Sequence, residues 1–365
     1  MVSKRAASLK HAQYYAEVLL SADRLYEQGG RHTEEGLGRF DDNWKNIELG
    51  QKWAELHAAL DKEAATLASE YPERGAHCLY LRQKPAERIA WLECALQVAH
   101  QRGFELVEGN LHGKIALALT EMGEYQQAIE HYSIRLEIAE RLRDLDGLGE
   151  GACNLGILYD NLEMLEPAQE CYQYALELAN QTSNQKILEV ATGNLGLIYL
   201  KQENYDRAVD CFQRHYELAR QNGDQWSEGN ALTNWGIVCL KLEKVDEALT
   251  YLQRSRMINQ KLGDLDGEAK NLGYIGSALV KMGMLDDAAI AYEARIALAQ
   301  KLNDHRGEAK GNWNLGQVLI RQRNYRPGLE YLYKCVEYEK SVGDPAWEAD
   351  LKAIKSIEAA FGGID

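Results

Sequence analysis

The chain has 365 residues, 45% hydrophobic and 27% charged, a balance that excludes a disordered chain and supplies a large core. Its formal net charge of -15 opposes binding to nucleic acid, whose phosphate backbone attracts basic surfaces. No run of 18 apolar residues occurs, and the N-terminal Met1-Val2-Ser3-Lys4-Arg5 lacks the apolar stretch of a signal peptide, so a cytoplasmic protein without a membrane span is expected.

Residues 1–62 read as an N-terminal helical segment. The stretch His11 to Leu20 is helical, and Gly29-Gly30 ends that helix. A second helix is expected to begin at Phe40 and run through Trp44 and Ile47 to Trp53. Residues 63–108 read as a degenerate first repeat unit. Its first helix is expected over Glu70 to Arg82, its second over Pro85 to Gly103.

Residues 109–348 hold six units of 40 residues without a gap. Glycine falls at 156, 196, 236, 276 and 316, with Ala116 in the sixth equivalent place. With 31 glycines in 365 residues, five hits in six slots by chance is on the order of 10⁻⁵. A small-residue column follows: Ala128, Ala168, Ala208, Ala248, Ala288 and Gly328. A bulky column lies one helical turn further on: Tyr132, Tyr172, Phe212, Leu252, Tyr292 and Leu332. Small residues let the two helices of a unit approach, and the bulky ones fill the space left. Gly223-Asp224, Gly263-Asp264 and Gly343-Asp344 read as stop-then-start signals, a left-handed glycine and a capping aspartate. Pro167 and Pro327 share one repeat position and mark the start of second helices. Residues 349–365 cap the array with one amphipathic helix, which begins near residue 346 and runs to 361.

A period of this length also fits HEAT and armadillo repeats. The columns decide: Asn154-Leu155-Gly156-Ile157-Leu158-Tyr159, then Ala168, Tyr172 and Ala175, resemble the tetratricopeptide (TPR) pattern of small and aromatic residues. The resemblance implies an all-α fold, a right-handed TPR superhelix, or α-solenoid, of about seven helix-turn-helix units. The usual TPR has 34 residues, so longer helices or a longer inter-repeat turn are expected. Units of this length resemble those of kinesin light chains, of Pins-type spindle-orientation adaptors and of the sensor arrays in STAND-type (NB-ARC/TPR) regulators. Residues 5–62 resemble the helical stretch that joins ATPase module to sensor in the last group. No G-x-x-x-x-G-K-[ST] occurs, so the ATPase itself is not expected in this chain.

The resemblance implies a concave groove lined by the first helix of each unit, taking a protein or extended peptide. Residues spaced to share that face form two ladders. One is made of amides, Asn154, Asn194, Asn234 and Asn314, interrupted by Tyr274 and flanked by Asn230 and Gln317. An amide both donates and accepts, so it can hold a peptide backbone of any sequence. It could equally satisfy a carbonyl of the neighbouring unit. The other ladder is Lys201, Lys241, Lys281 and Arg321, which with Lys270 and Lys310 makes a basic strip suited to an acidic ligand. These cations could instead serve the negative ends of the first helices. Equivalent places earlier in the chain are Glu121 and Asn161, so a polar ligand is expected toward the C-terminal half. The carboxylate clamp of chaperone-binding TPR domains is present only in fragments.

The residues carry no metal-spaced cluster, no H-E-x-x-H and no G-x-S-x-G, so no cofactor, metal or catalytic residue is expected. The leading expectation is a non-catalytic binding scaffold or adaptor, then the sensor array of a STAND-type regulator. A third is a peptide-regulated phosphatase resembling the Rap regulators, with residues 5–62 as its helical bundle. The 7 cysteines are expected to be reduced and buried.

Overall fold

The computed structural model describes residues 2–28 and 31–361, in which eighteen helices and no strand occur. The expected helix end at Gly29-Gly30 lies outside the described residues. The chain divides into two compact units, Met1–Ile187 and Leu188–Asp365.

The first unit opens with α1 (Val2–Glu27) packed along α2 (Arg31–His57). Helix α2 begins well before Phe40. Gly36 and Gly38 weaken its helical signal, but a Cβ at Gly36 would sit 2.6 Å from the carbonyl oxygen of Ala22, so close approach to α1 demands glycine. Leu19, Phe40, Ile47 and Tyr71 fill the core between these helices and α3 (Lys62–Arg74). The expected helix over 70–82 is broken at Gly75, and α4 (Ala76–Arg82) follows as a separate turn. Leu19 packs against the break, where any Cβ would lie 2.3 Å from its Cδ1. Helix α5 (Pro85–Arg102) ends as expected at Gly103, whose φ is 68°.

Helices α6 (Glu105–Glu121), α7 (Tyr125–Leu142), α8 (Leu145–Asn161) and α9 (Leu165–Thr182) then alternate as first and second helices of the repeat. Helix α10 (Gln185–Lys201) spans the boundary, and the second compact unit holds α11 (Tyr205–Asn222), α12 (Gln225–Lys241), α13 (Val245–Leu262), α14 (Leu265–Lys281), α15 (Leu285–Leu302), α16 (His305–Arg321) and α17 (Tyr325–Val342) in the same alternation. Helix α18 (Ala346–Phe361) closes it, with Ile354 buried against Leu332 and Val336. From α1 to α9, and again from α11 to α18, consecutive helices pack on one another, the stacking of a TPR-type α-solenoid. First helices have 17 residues and second helices 18, so the length beyond an ordinary repeat lies in the helices and not in the turns.

The columns act as their spacing predicts. Ala168, Ala208, Ala248 and Ala288 are fully buried, and so are the bulky residues one turn on. A Cβ at Gly276 would fall 2.6 Å from the Tyr292 ring, and at Gly156 2.8 Å from the Tyr172 ring, so the column glycines are the seats of those rings. Asp144, Asp224, Asp264 and Asp304 each accept a hydrogen bond from the backbone three residues on, at 3.0, 2.9, 2.9 and 2.9 Å. Pro167 and Pro327 occupy the third helical place and not the first, still within the turn whose N–H groups have no intrahelical acceptor.

Candidate functional site

The second compact unit carries two clefts between the first helices α14 and α16. One, of about 440 Å³, is lined by Lys270 and Tyr274 from α14, Lys310 and Asn314 from α16, and Arg295 from the second helix α15. The other, of about 250 Å³, is lined by Lys281, Asn314, Gln317 and Arg321. Ser277 and Asn314 border both. Spacing along the helix accounts for the gathering. Residues 270, 274, 277 and 281 recur at three or four positions and share one face of α14; residues 310, 314, 317 and 321 do the same on α16.

Asn194, Asn230, Asn234, Lys201 and Lys241 line neither cleft, and Asn154 belongs to the first compact unit. The amides of Asn194, Asn234 and Asn314 are partly exposed, and among the described residues they make no hydrogen bond. Several of the cations have protein partners, Lys201 among them. Lys270 pairs with Asp266 one turn earlier, and Lys281 Nζ donates to the Leu240 carbonyl at the end of α12, at 3.5 Å.

Arg295 is not among the residues that the first-helix pattern singles out, because it stands on a second helix. Its guanidinium reaches the cleft over Gly273, where a Cβ would be 2.4 Å from Nη1. Burial lowers its pKa from the usual arginine value. Asp304, in the same cleft, accepts the N-cap hydrogen bond from Gly307.

A sequence-family model of the tetratricopeptide repeat matches residues 107–181, 187–261 and 227–301, more than half of the chain. The chain belongs to the tetratricopeptide repeat family. No curated protein sequence matches it. Among solved structures, a STAND protein with a tetratricopeptide repeat sensor from Pyrococcus horikoshii aligns with a TM-score of 0.61 at 16% identity, over 94% of this chain and 55% of that one. A Rap protein complexed with Competence and Sporulation Factor aligns at 0.57 and 14% identity over 99% of both chains. Aspartyl phosphate phosphatase F from Bacillus subtilis aligns at 0.55 and 14% identity over 94% of both. At these identities the likeness is one of fold.

Within this TPR array a second period explains why Arg295 fits. The position of Gly273 reads Gly113, Cys153, Gly193, Thr233, Gly273, Trp313 from unit to unit; that of Arg295 reads Arg135, Ala175, His215, Ser255, Arg295, Cys335. Where the first helix has glycine, the second has a long polar residue, so the two positions trade volume. Gly113 faces Arg135 and Gly193 faces His215 as Gly273 faces Arg295. In the Thr233/Ser255 unit the space holds a hydrogen-bonded set instead: Asn271 Nδ2 donates to Ser255 Oγ at 2.9 Å, and Thr233 Oγ1 donates to Asn271 Oδ1 at 3.0 Å. The paired substitution is visible in the sequence once two columns are compared rather than one.

Outside the array, Asp23, Glu27 and His77 bring three potential ligand atoms within 4.8 Å. Asp23 Oδ1 accepts from the backbone N–H groups of His77 and Cys78 at 2.9 and 2.8 Å, which ties α4 to α1. All seven cysteines are free thiols, and burial pushes the Cys153 thiol up to about 12.

Proposed function

We propose that the chain is a non-catalytic TPR scaffold that holds an extended peptide or protein segment along the first helices of residues 188–365. TPR arrays act in general as interaction scaffolds, and the family match lies within the array, ending at residue 301. The observation that carries the finer reading is the pair of adjoining clefts that share Asn314 between α14 and α16. The unbonded amides of Asn194, Asn234 and Asn314 support it: each offers a donor and an acceptor to a ligand backbone. Acidic groups on the ligand would meet Lys310, Gln317 and Arg321, and the ladder of Lys201, Lys241 and Lys281 would steer their approach.

A pull-down with the wild type beside an Asn194→Ala/Asn234→Ala/Asn314→Ala variant tests this reading. The expected result is a variant with unchanged melting that loses the wild type's partners. Retention of the same partners overturns it. So does a loss of about 1–3 kcal/mol of stability per residue, which would mark the amides as structural.

The full-length alignment with the Rap protein, which extends through the N-terminal helices, favours a second reading in which those helices act on a response regulator and the array takes a signalling peptide. Dephosphorylation of a phospho-aspartyl receiver domain by the purified chain would replace the scaffold reading with this one. The alignment with the STAND protein supports a third, the sensor array of such a regulator. Co-purification with a separate ATPase chain would favour it.

A further inference from the structure

Arg295 is a cation held partly out of water, and the Asp304 carboxylate acts on it only through space. Among the described residues it makes no ion pair and no hydrogen bond. Burying a charge is costly unless it is paired, and the fold shows what pairing looks like at this position. Four repeats earlier, Arg135 extends over Gly113 in the same way. Its Nη2 donates to Glu150 Oε2 on the next first helix at 3.0 Å. The residue equivalent to Glu150 beside Arg295 is Lys310, so the position that neutralises one arginine repels the other.

The rest of the cleft adds to this imbalance. Lys270, Arg295, Arg306 and Lys310 face only two carboxylates, Asp266 and Asp304. Asp266 is taken by Lys270, while Asp304 caps α16 and keeps its charge, so the cations still outnumber the carboxylates. Arg306 and Lys310, like Arg295, make no ion pair and no hydrogen bond among the described residues. Three unpaired cations thus converge on one cleft of about 440 Å³, in a protein whose net charge is -15. Tyr274 and Asn314 add neutral polar groups at its wall.

We propose that this cleft is a subsite for a doubly charged anionic group on the bound peptide, either a phosphorylated side chain or two adjacent carboxylates. Arg295 offers a planar fork to its oxygens, and Lys310 and Arg306 close on it from α16. The inference rests on the peptide reading above and names the chemistry of that peptide.

The test uses three fluorescein-labelled hexapeptides that differ only at their centre: phosphoserine-glycine, Glu-Glu, and Gln-Gln. Anisotropy titrations of the full chain at 0.1 M salt should show at least one of the first two binding tenfold or more tighter than Gln-Gln, with inorganic phosphate as competitor. Preference for phosphoserine over Glu-Glu assigns a phosphate; equal affinity assigns carboxylates. Lys310→Glu places beside Arg295 the carboxylate that Arg135 already has. It should abolish the tenfold preference while leaving the melting temperature at or above that of the wild type. Arg295→Met, which keeps the volume and removes the charge, should lose the preference too. Equal affinity of the wild type for all three peptides overturns the subsite, as does an undiminished preference in Lys310→Glu. The Asn194→Ala/Asn234→Ala variant, which leaves the cleft intact, separates this outcome from the fate of the peptide reading. Uniform weakening for all three peptides supports the amide ladder, and wild-type affinity for all three overturns the ladder without touching the subsite.

Discussion

His112 and His131 meet across α6 and α7 with their Nδ1 atoms 2.9 Å apart. Such a contact needs one Nδ1 to carry a hydrogen and the other a lone pair, so the pair cannot be satisfied with both rings charged. Burial, and then the neighbouring His131, push His112 down to about 4, and burial lowers His131 as well. An unfolded histidine titrates near 6.5. The unfolded chain therefore binds more protons between those values, so the stability from His112 is whole above about 6.5 and is lost as pH falls toward 4. Replacing both rings by leucine removes the dependence without leaving an unpaired polar group. Between pH 7 and pH 5, urea titrations should show the wild type losing about 2 kcal/mol more than His112→Leu/His131→Leu. Equal losses would mean that these rings are not held neutral. At the scale of single residues, legibility in the sequence depends on whether a side chain's place is set within its own helix. The face of a first helix follows from three-and-four spacing, so Lys270, Tyr274, Lys310 and Asn314 group together from the sequence alone. Arg295 does not join them, because its place depends on Gly273 from another helix, and a pattern within one helix holds no trace of such a pair.

Each turn of the array is made by one residue in the left-handed conformation. After second helices these are Gly223, Gly263 and Gly343, but also Arg143, Ser183 and Asn303. After first helices they include Glu163, Glu203 and Glu243, with φ of 59°, 58° and 60°. The glycine turns are legible in the sequence, because glycine followed by a capping aspartate has a local cause. The glutamate turns are not, because nothing in the residue itself announces the conformation; only register with Gly123 and Gly283 does. The same limit hides the start of α2 and the break at Gly75, where glycine answers to a neighbouring helix. A side chain in this conformation costs about 1 kcal/mol, and a carboxylate beside the negative end of a helix adds to the cost. Glycine removes both penalties but loses more freedom on folding. Glu203→Gly should therefore raise stability by about 0.5–1 kcal/mol, and the Glu163/Glu203/Glu243 triple by about 2 kcal/mol, since the sites are far enough apart to add. Thermal melts check this; a fall in melting temperature would show that these carboxylates make contacts that outweigh the backbone strain.

At the scale of the whole molecule the repeat makes stability a matter of neighbours. Each unit rests on the one before and the one after, so a defect at an end should stay near that end. Helix α18 tests this because, among the described residues, it is the last helix and packs on α17. Ile354 is fully buried against Leu332 and Val336, Glu358 accepts a hydrogen bond from Tyr333 Oη at 2.9 Å, and Lys352 and Lys355 face solvent. Ile354→Ala leaves a cavity where α17 would otherwise be covered, at a cost of about 2–4 kcal/mol. In a globular domain with one cooperative core that cost would appear in every slowly exchanging amide. In an array it should appear as faster hydrogen exchange in α17 and α18, weaken across α15 and α16, and leave the amides of α6 to α8 at their wild-type rates. Mass-resolved exchange on the full chain reads this gradient. A uniform rise across all helices would mean that the chain unfolds as one body, and the neighbour-by-neighbour account of its stability would have to be given up.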